Sequence, residues 1–196
     1  VPAPAVGGPC GGGKKKIARG DAVGVDRGVY HPPRQYPTVV FEINKSVILS
    51  GGWNAAFTAQ TGFTKIDGQG VETGIYIPAD AQTVAIDHFT VENSGTGISN
   101  DSADLTLDAC IIQNNGDETV GTGGIYSRNS VMTTILNTTI RNNSGVYAGG
   151  IFANLQIESG LKDGVARFIL KNSSLLANSG GDVGGIEIAS YAGLTG

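Results

Sequence analysis

The stretch Asn137-Thr138-Thr139-Ile140-Arg141-Asn142-Asn143-Ser144-Gly145 is one of four alike in a chain of 196 residues. The others occupy 87–95 (DHFTVENSG), 108–116 (DACIIQNNG) and 172–180 (NSSLLANSG). Each starts with Asp or Asn, carries Asn at its seventh place and ends Ser-Gly or Asn-Gly. After each comes a small-residue turn and a Gly-led apolar start: Gly97-Ile98, Gly123-Gly124-Ile125-Tyr126, Gly149-Gly150-Ile151-Phe152 and Gly184-Gly185-Ile186-Glu187. A similar start, Gly74-Ile75-Tyr76-Ile77, precedes the first copy.

A recurring unit of this size, without helical periodicity, reads as a solenoid. The seventh-place residues Asn93, Asn114, Asn143 and Asn178 are 21, 29 and 35 apart, so the shortest interval sets the bare coil. The longer intervals hold Gly- and charge-rich extras at 116–122 and 158–164, which read as loops leaving one corner. Coils that pair as parallel strands advance roughly 4.8 Å each along the axis. Asn tolerates the left-handed backbone region and bonds to nearby backbone. Stacked coil on coil, Asn93, Asn114, Asn143 and Asn178 are therefore expected to form a structural corner ladder. Val84, Ile86, Leu105 and Leu107 are expected to face inward. In the later copies the apolar residues stand one place off, at Ile135 and at Phe168 with Leu170. A one-residue slip inverts the faces of a strand, so a bulge or a moved corner is expected between coils.

Gly-Gly-Ile, followed within a coil by an apolar residue, two others and Asn (Ile140 to Asn143, Ile111 to Asn114, Leu175 to Asn178), resembles the repeats of bacterial polymorphic outer-membrane proteins. More broadly the chain is similar to right-handed parallel β-helix surface proteins of the pectate-lyase-like class, over about residues 20–196. The resemblance implies an all-β, right-handed parallel β-helix. That fold hosts lyases, hydrolases, adhesins and passive fibres, so it does not select a function. Ser50-Gly51-Gly52-Trp53-Asn54 looks like a turn found near the start of many secreted β-helices. Trp53, the only Trp, is expected to cover the open end of the core rather than to stack on a sugar.

Composition agrees with a narrow apolar stack inside a Ser/Thr/Asn-rich exterior: Gly is 31 residues and charged residues are 15%. A net charge of −4 argues against a nucleic-acid partner. Charge is uneven, since residues 1–36 hold six Lys or Arg against Asp21 and Asp26. Residues 1–20 read as an extended Gly/Pro-rich arm with a short run, Lys14-Lys15-Lys16, and 21–196 as the β-helix, uncapped or truncated at its C-terminal end. A basic arm on an acidic rod favours end-to-end self-association; a solvated tail explains the arm equally well. Arg19-Gly20-Asp21 reads as a turn before a strand. No stretch reaches transmembrane length, so this segment is not expected to insert in a membrane. A start at Val1 rather than Met fits a processed, exported protein or a trimmed chain. Cys10 and Cys110 could form a disulfide only if the arm folds back on the coils, and two unrelated thiols fit as well.

For a site, the resemblance directs attention to clusters of Asp with Arg, Lys or His on one exposed sheet. Asp87 and Asp108 open successive copies and should lie one strand spacing apart, with His88 adjacent. Such carboxylates share a proton or hold a cation, which makes them candidate calcium ligands. Asn137 and Asn172 fill the same place in the next copies and no Arg stands beside them. No catalytic residue is assigned on that account, and no cofactor other than calcium is expected. The expected role is a secreted or cell-surface structural subunit of a fibre or surface layer, assembled through the arm and stacked coils. Deleting residues 1–16 should then abolish assembly. The alternatives are the passenger region of a surface adhesin or autotransporter-like protein that meets glycans or a host surface, and a polysaccharide lyase or hydrolase.

Overall fold

The computed structural model describes residues 15–17, 22–31, 38–101, 103–130, 132–157 and 166–192. Every regular element among them is a strand. The chain winds through six coils, each placing one strand in each of three sheets. Coil 1, preceded by β1 (Lys15–Ile17), holds β2 (Ala22–Asp26), β3 (Val29–Tyr30) and β4 (Val39–Glu42). Coil 2 holds β5 (Val47–Trp53), β6 (Thr64–Asp67) and β7 (Thr73–Ile77). Coil 3 holds β8 (Thr83–Asp87), β9 (Phe89–Glu92) and β10 (Thr96–Asn100). Coil 4 holds β11 (Asp104–Asp108), β12 (Ile111–Gln113) and β13 (Ile125–Ser130). Coil 5 adds a short fourth piece: β14 (Met132–Leu136), β15 (Thr139–Arg141), β16 (Ser144–Gly145) and β17 (Ile151–Ile157). Coil 6 repeats it with β18 (Arg167–Lys171), β19 (Ser174–Leu176), β20 (Ser179–Gly180) and β21 (Ile186–Ala192).

The first sheet runs β1-β2-β5-β8-β11-β14-β18, the second β3-β6-β9-β12-β15-β19, and the third β4-β7-β10-β13-β17-β21. All neighbours pair in parallel except β1, which lies antiparallel along β2. This is a parallel β-helix, as the repeats led one to expect. Of the N-terminal arm only β1 is within the described residues; Cys10, Lys14 and Arg19-Gly20-Asp21 are outside them.

The core is a set of inward rows running along the axis. In the first sheet Val84 pairs with Leu105, Leu105 with Thr133, and Thr133 with Phe168. Beside it runs Ile86–Leu107–Ile135–Leu170. Complete burial of each such aliphatic side chain contributes roughly 1.5–3 kcal/mol. Both rows keep one register, so no slip lies in these rows; the expected irregularity between coils 4 and 5 is in the third sheet, where the pairing of β13 with β17 shifts between Arg128 and Ser130. Asp87 faces Asp108, Asp108 faces Leu136, and Leu136 faces Lys171, so the coil lengths are 21, 28 and 35 residues. The sequence comparison had set the third and fourth copies one residue too late. Asn137 and Asn172 share the place of His88 and Ala109, and all four adopt left-handed backbone with φ between 48° and 57°. The motif had been matched on residue type, whereas the coil repeats a backbone conformation.

Candidate functional site

The same one-residue correction divides the expected Asn ladder in two. Asn93 and Asn114 share their place with Asn142 and Ala177, and all four have φ of 51° to 58°. They turn the corner by backbone conformation. The hydrogen-bonded ladder stands one residue later, at Asn115, Asn143 and Asn178. Asn143 Oδ1 accepts from both the backbone N–H and the Nδ2 of Asn115, at 3.0 Å each. Asn178 Oδ1 accepts the same pair from Asn143. Each Nδ2 also donates to a carbonyl of the preceding coil: Asn115 to Val91, Asn143 to Ile112 and Asn178 to Ile140. Ser94 occupies the ladder place in coil 3 and its N–H donates to Asn115 Oδ1. Asn143 and Asn178 are thus ladder members as expected, Asn93 and Asn114 are not, and Asn115 is the member the sequence comparison missed.

Asp87 and Asp108 do lie opposite each other on β8 and β11. Their oxygens have separate partners. Asp87 Oδ1 accepts from Ser50 Oγ at 3.0 Å and Gln60 Nε2 at 2.7 Å, and lies 2.8 Å from His88 Nδ1. Asp108 Oδ1 accepts from Asn137 Nδ2 at 2.7 Å. Among the described residues no group of three or more His, Cys, Asp or Glu is placed to hold a metal ion. Trp53 ends β5 and donates its indole N–H to Ser50 Oγ.

Cys110 is a free, buried thiol. It belongs to a row of small side chains, the Cys110 thiol and the Thr138 and Ser173 hydroxyls, each bonded to the carbonyl two residues earlier. Burial pushes its pKa up to about 12, which keeps it a thiol. Its proposed partner Cys10 is outside the described residues.

A concave feature lies on the outer face of the third sheet. The residues that follow the Gly-Ile starts form one outward row: Tyr76, Ser99, Tyr126, Phe152 and Glu187. Tyr126 and Phe152 stack at 5.4 Å between centroids and 28° between planes. Opposite them, the loops of coils 4 and 5 rise from the sheet, bridged at Thr122 and Ala148. Between row and loops lies a groove of about 520 Å³ lined by Thr96, Thr122, Tyr126, Tyr147, Phe152 and Glu187. Tyr147, on the loop side, is 55% exposed.

Two polar side chains of this groove lack partners. Among the described residues only Ser94, Thr122 and Glu187 carry a buried side-chain oxygen without a hydrogen bond. Two of the three line the groove. Buried polar atoms are almost always paired, so such a concentration points to a ligand. Two further charged residues beside this row, Arg128 and Asp101, are paired with each other. Arg128 grips Asp101 through Nε–Oδ1 at 2.6 Å and Nη2–Oδ2 at 2.7 Å, and Tyr76 donates to Asp101 Oδ2. These bonds, Arg128 first, hold the Asp101 carboxyl below its ordinary pKa. On the second sheet an outer chain links Lys65, Glu92, Gln113 and Arg141.

No family model matches the chain, and neither a curated protein nor a solved structure matches it significantly. What the groove can bind must therefore be argued from its own residues.

Proposed function

We propose that the protein is a secreted or cell-surface recognition rod, the passenger part of an adhesin, whose third-sheet groove binds carbohydrate. This reading keeps the likeness of the repeats to polymorphic outer-membrane proteins. One observation carries it: an open groove pairs aromatic side chains with polar atoms that have no partner. Aromatic faces bury the apolar C–H side of a sugar, and directional polar groups fix its hydroxyls. An open groove, unlike a closed cavity, admits the interior of a chain. The two stacked rings are 5.4 Å apart on neighbouring coils, close to the spacing of the coils. Among the described residues the one Asp–Arg pair beside it, Asp101 with Arg128, is closed on itself, which favours binding over cleavage. The test is binding of a panel of soluble oligosaccharides, followed by calorimetry with Phe152→Ala and Tyr126→Ala. Loss of at least tenfold in affinity in both variants supports the groove. Unchanged affinity, or no binding by any glycan, rejects it.

End-to-end assembly into a fibre or surface layer is a second reading, favoured by a different observation. In coil 6 the core rows at Phe168, Leu170, Leu175 and Ile186 are only partly covered, and Ile188 is 53% exposed. A further coil or a second copy stacked on that coil would bury them. Electron microscopy of the uncrosslinked protein separates the two readings: regular axial filaments favour assembly, dispersed rods leave recognition alone.

A further inference from the structure

We propose that the saccharide bound in the third-sheet groove carries a protonated amino group, as an unacetylated hexosamine does. The proposal rests on the carbohydrate reading above and names the chemical class of its ligand.

Among the described residues Glu187 is the only charged one lining the groove, and its Oε2 has no hydrogen-bond partner. A carboxylate oxygen shut away from water and unpaired is costly, and a cation beside it removes the cost. The nearest candidate cation on this sheet is unavailable. Arg128 is held bidentate by Asp101, a geometry that is hard to displace. Among the described residues no free cation of this sheet reaches it, and a cationic ligand would supply the charge. The other walls suit an ammonium group. Tyr126, Tyr147 and Phe152 present aromatic rings, whose negative faces attract cations. Thr122, 3% exposed and with an unpartnered hydroxyl, supplies an acceptor for one further N–H. The protein's net charge of −4 adds a general attraction for cationic ligands.

The same features rank the other sugar classes below it. A uronate brings a second carboxylate to Glu187, and like charges repel. A neutral or N-acetylated sugar can donate a hydroxyl or amide hydrogen to Oε2 but brings no positive charge, and such a bond is the weaker kind. Position in the fold explains why a single residue decides this. The place of Glu187 is Phe152 in coil 5, Tyr126 in coil 4, Ser99 in coil 3, Tyr76 in coil 2 and Glu42 in coil 1, so Glu187 is the one negative charge of the row beside the stacked aromatic pair. A bound chain would lie along the row with its amino group there.

Calorimetry with the full chain tests this, using the glucosamine hexamer, the N-acetylglucosamine hexamer, a galacturonate hexamer and hexalysine. The expected order is the glucosamine hexamer at least tenfold tighter than its acetylated form, with no binding of galacturonate. That preference should shrink with added salt and vanish as pH rises through the amine pKa. Glu187→Gln should remove the preference, while Phe152→Ala should weaken both hexosamine chains together. Equal affinity for the two hexosamine chains overturns the amino-group proposal and leaves the carbohydrate reading standing. Failure of every saccharide overturns both. Hexalysine binding as tightly as the glucosamine hexamer overturns the saccharide part and makes the groove a site for peptide amines.

Discussion

Two rows of the same corner, one residue apart, use the same amino acid for different purposes. Asn93, Asn114 and Asn142 sit in left-handed backbone, where Ala177 completes the row. Asn115, Asn143 and Asn178 form the ladder, with Ser94 at its start. In the first row the backbone needs a residue that tolerates positive φ, and the side chain is replaceable. In the second the side chain closes hydrogen bonds with the coils on both sides, and no other side chain has an acceptor and two donors in that shape. The value of Asn is thus set by the row it occupies and not by its recurrence.

Breaking the ladder should give the largest effect. Asn143→Ala leaves two N–H groups of Asn115 and the Ile112 carbonyl without their partner. At about 1–3 kcal/mol per stranded group, a loss of about 4 kcal/mol is expected in urea denaturation. A loss below 1 kcal/mol would mean that the ladder is incidental. The left-handed row should respond less and in both directions. Asn142→Ala should cost about 1 kcal/mol, because Cβ strain is no longer offset by the amide. Ala177→Asn, the reverse exchange, should gain about 0.5 kcal/mol. Equal losses for Asn142→Ala and Asn143→Ala would erase the distinction between the rows.

The start of the ladder sharpens the comparison further. Ser94 Oγ is buried without a partner, so Ser94→Ala should be neutral or gain about 1 kcal/mol. A loss there would reveal a hidden partner of the hydroxyl. The smallest effect separates the uncharged ladder from the charged clamp outside it. The folded pKa of Asp101 is lowered, so its contribution is complete above the ordinary Asp value of about 4 and disappears as pH falls through the folded value. Arg128→Ala should cost at most about 1 kcal/mol at neutral pH and nothing in acid. The cost of Asn143→Ala should not change over that range, since amides do not titrate there.

Much of this was legible beforehand. Recurrent Asn and Gly-Gly-Ile starts announced the parallel β-helix, and the alternating Val84, Ile86, Leu105 and Leu107 gave the inward rows. The register was not legible. Residue identity made 137 and 172 look equivalent to 87 and 108, because Asn and Asp resemble each other as corner residues. Cys110 illustrates the same limit. Its place in a row of small side chains is apparent only once Thr138 and Ser173 are stacked beside it. The groove left a trace that could have been followed: the residue after each Gly-Ile start is Tyr76, Ser99, Tyr126, Phe152 and Glu187, an aromatic in three of five coils.

By itself the sequence determined the coil. Period, small-residue corners and alternation are local properties, and parallel stacking is the one way for such units to bury their apolar faces together. Tertiary structure decided which residues share a row, because a place along the axis is defined by pairing between coils 21 to 35 residues apart. It also decided the groove. Glu187 and Thr122 lie 65 positions apart in the chain, and only the winding of two coils with their raised loops brings them to one surface.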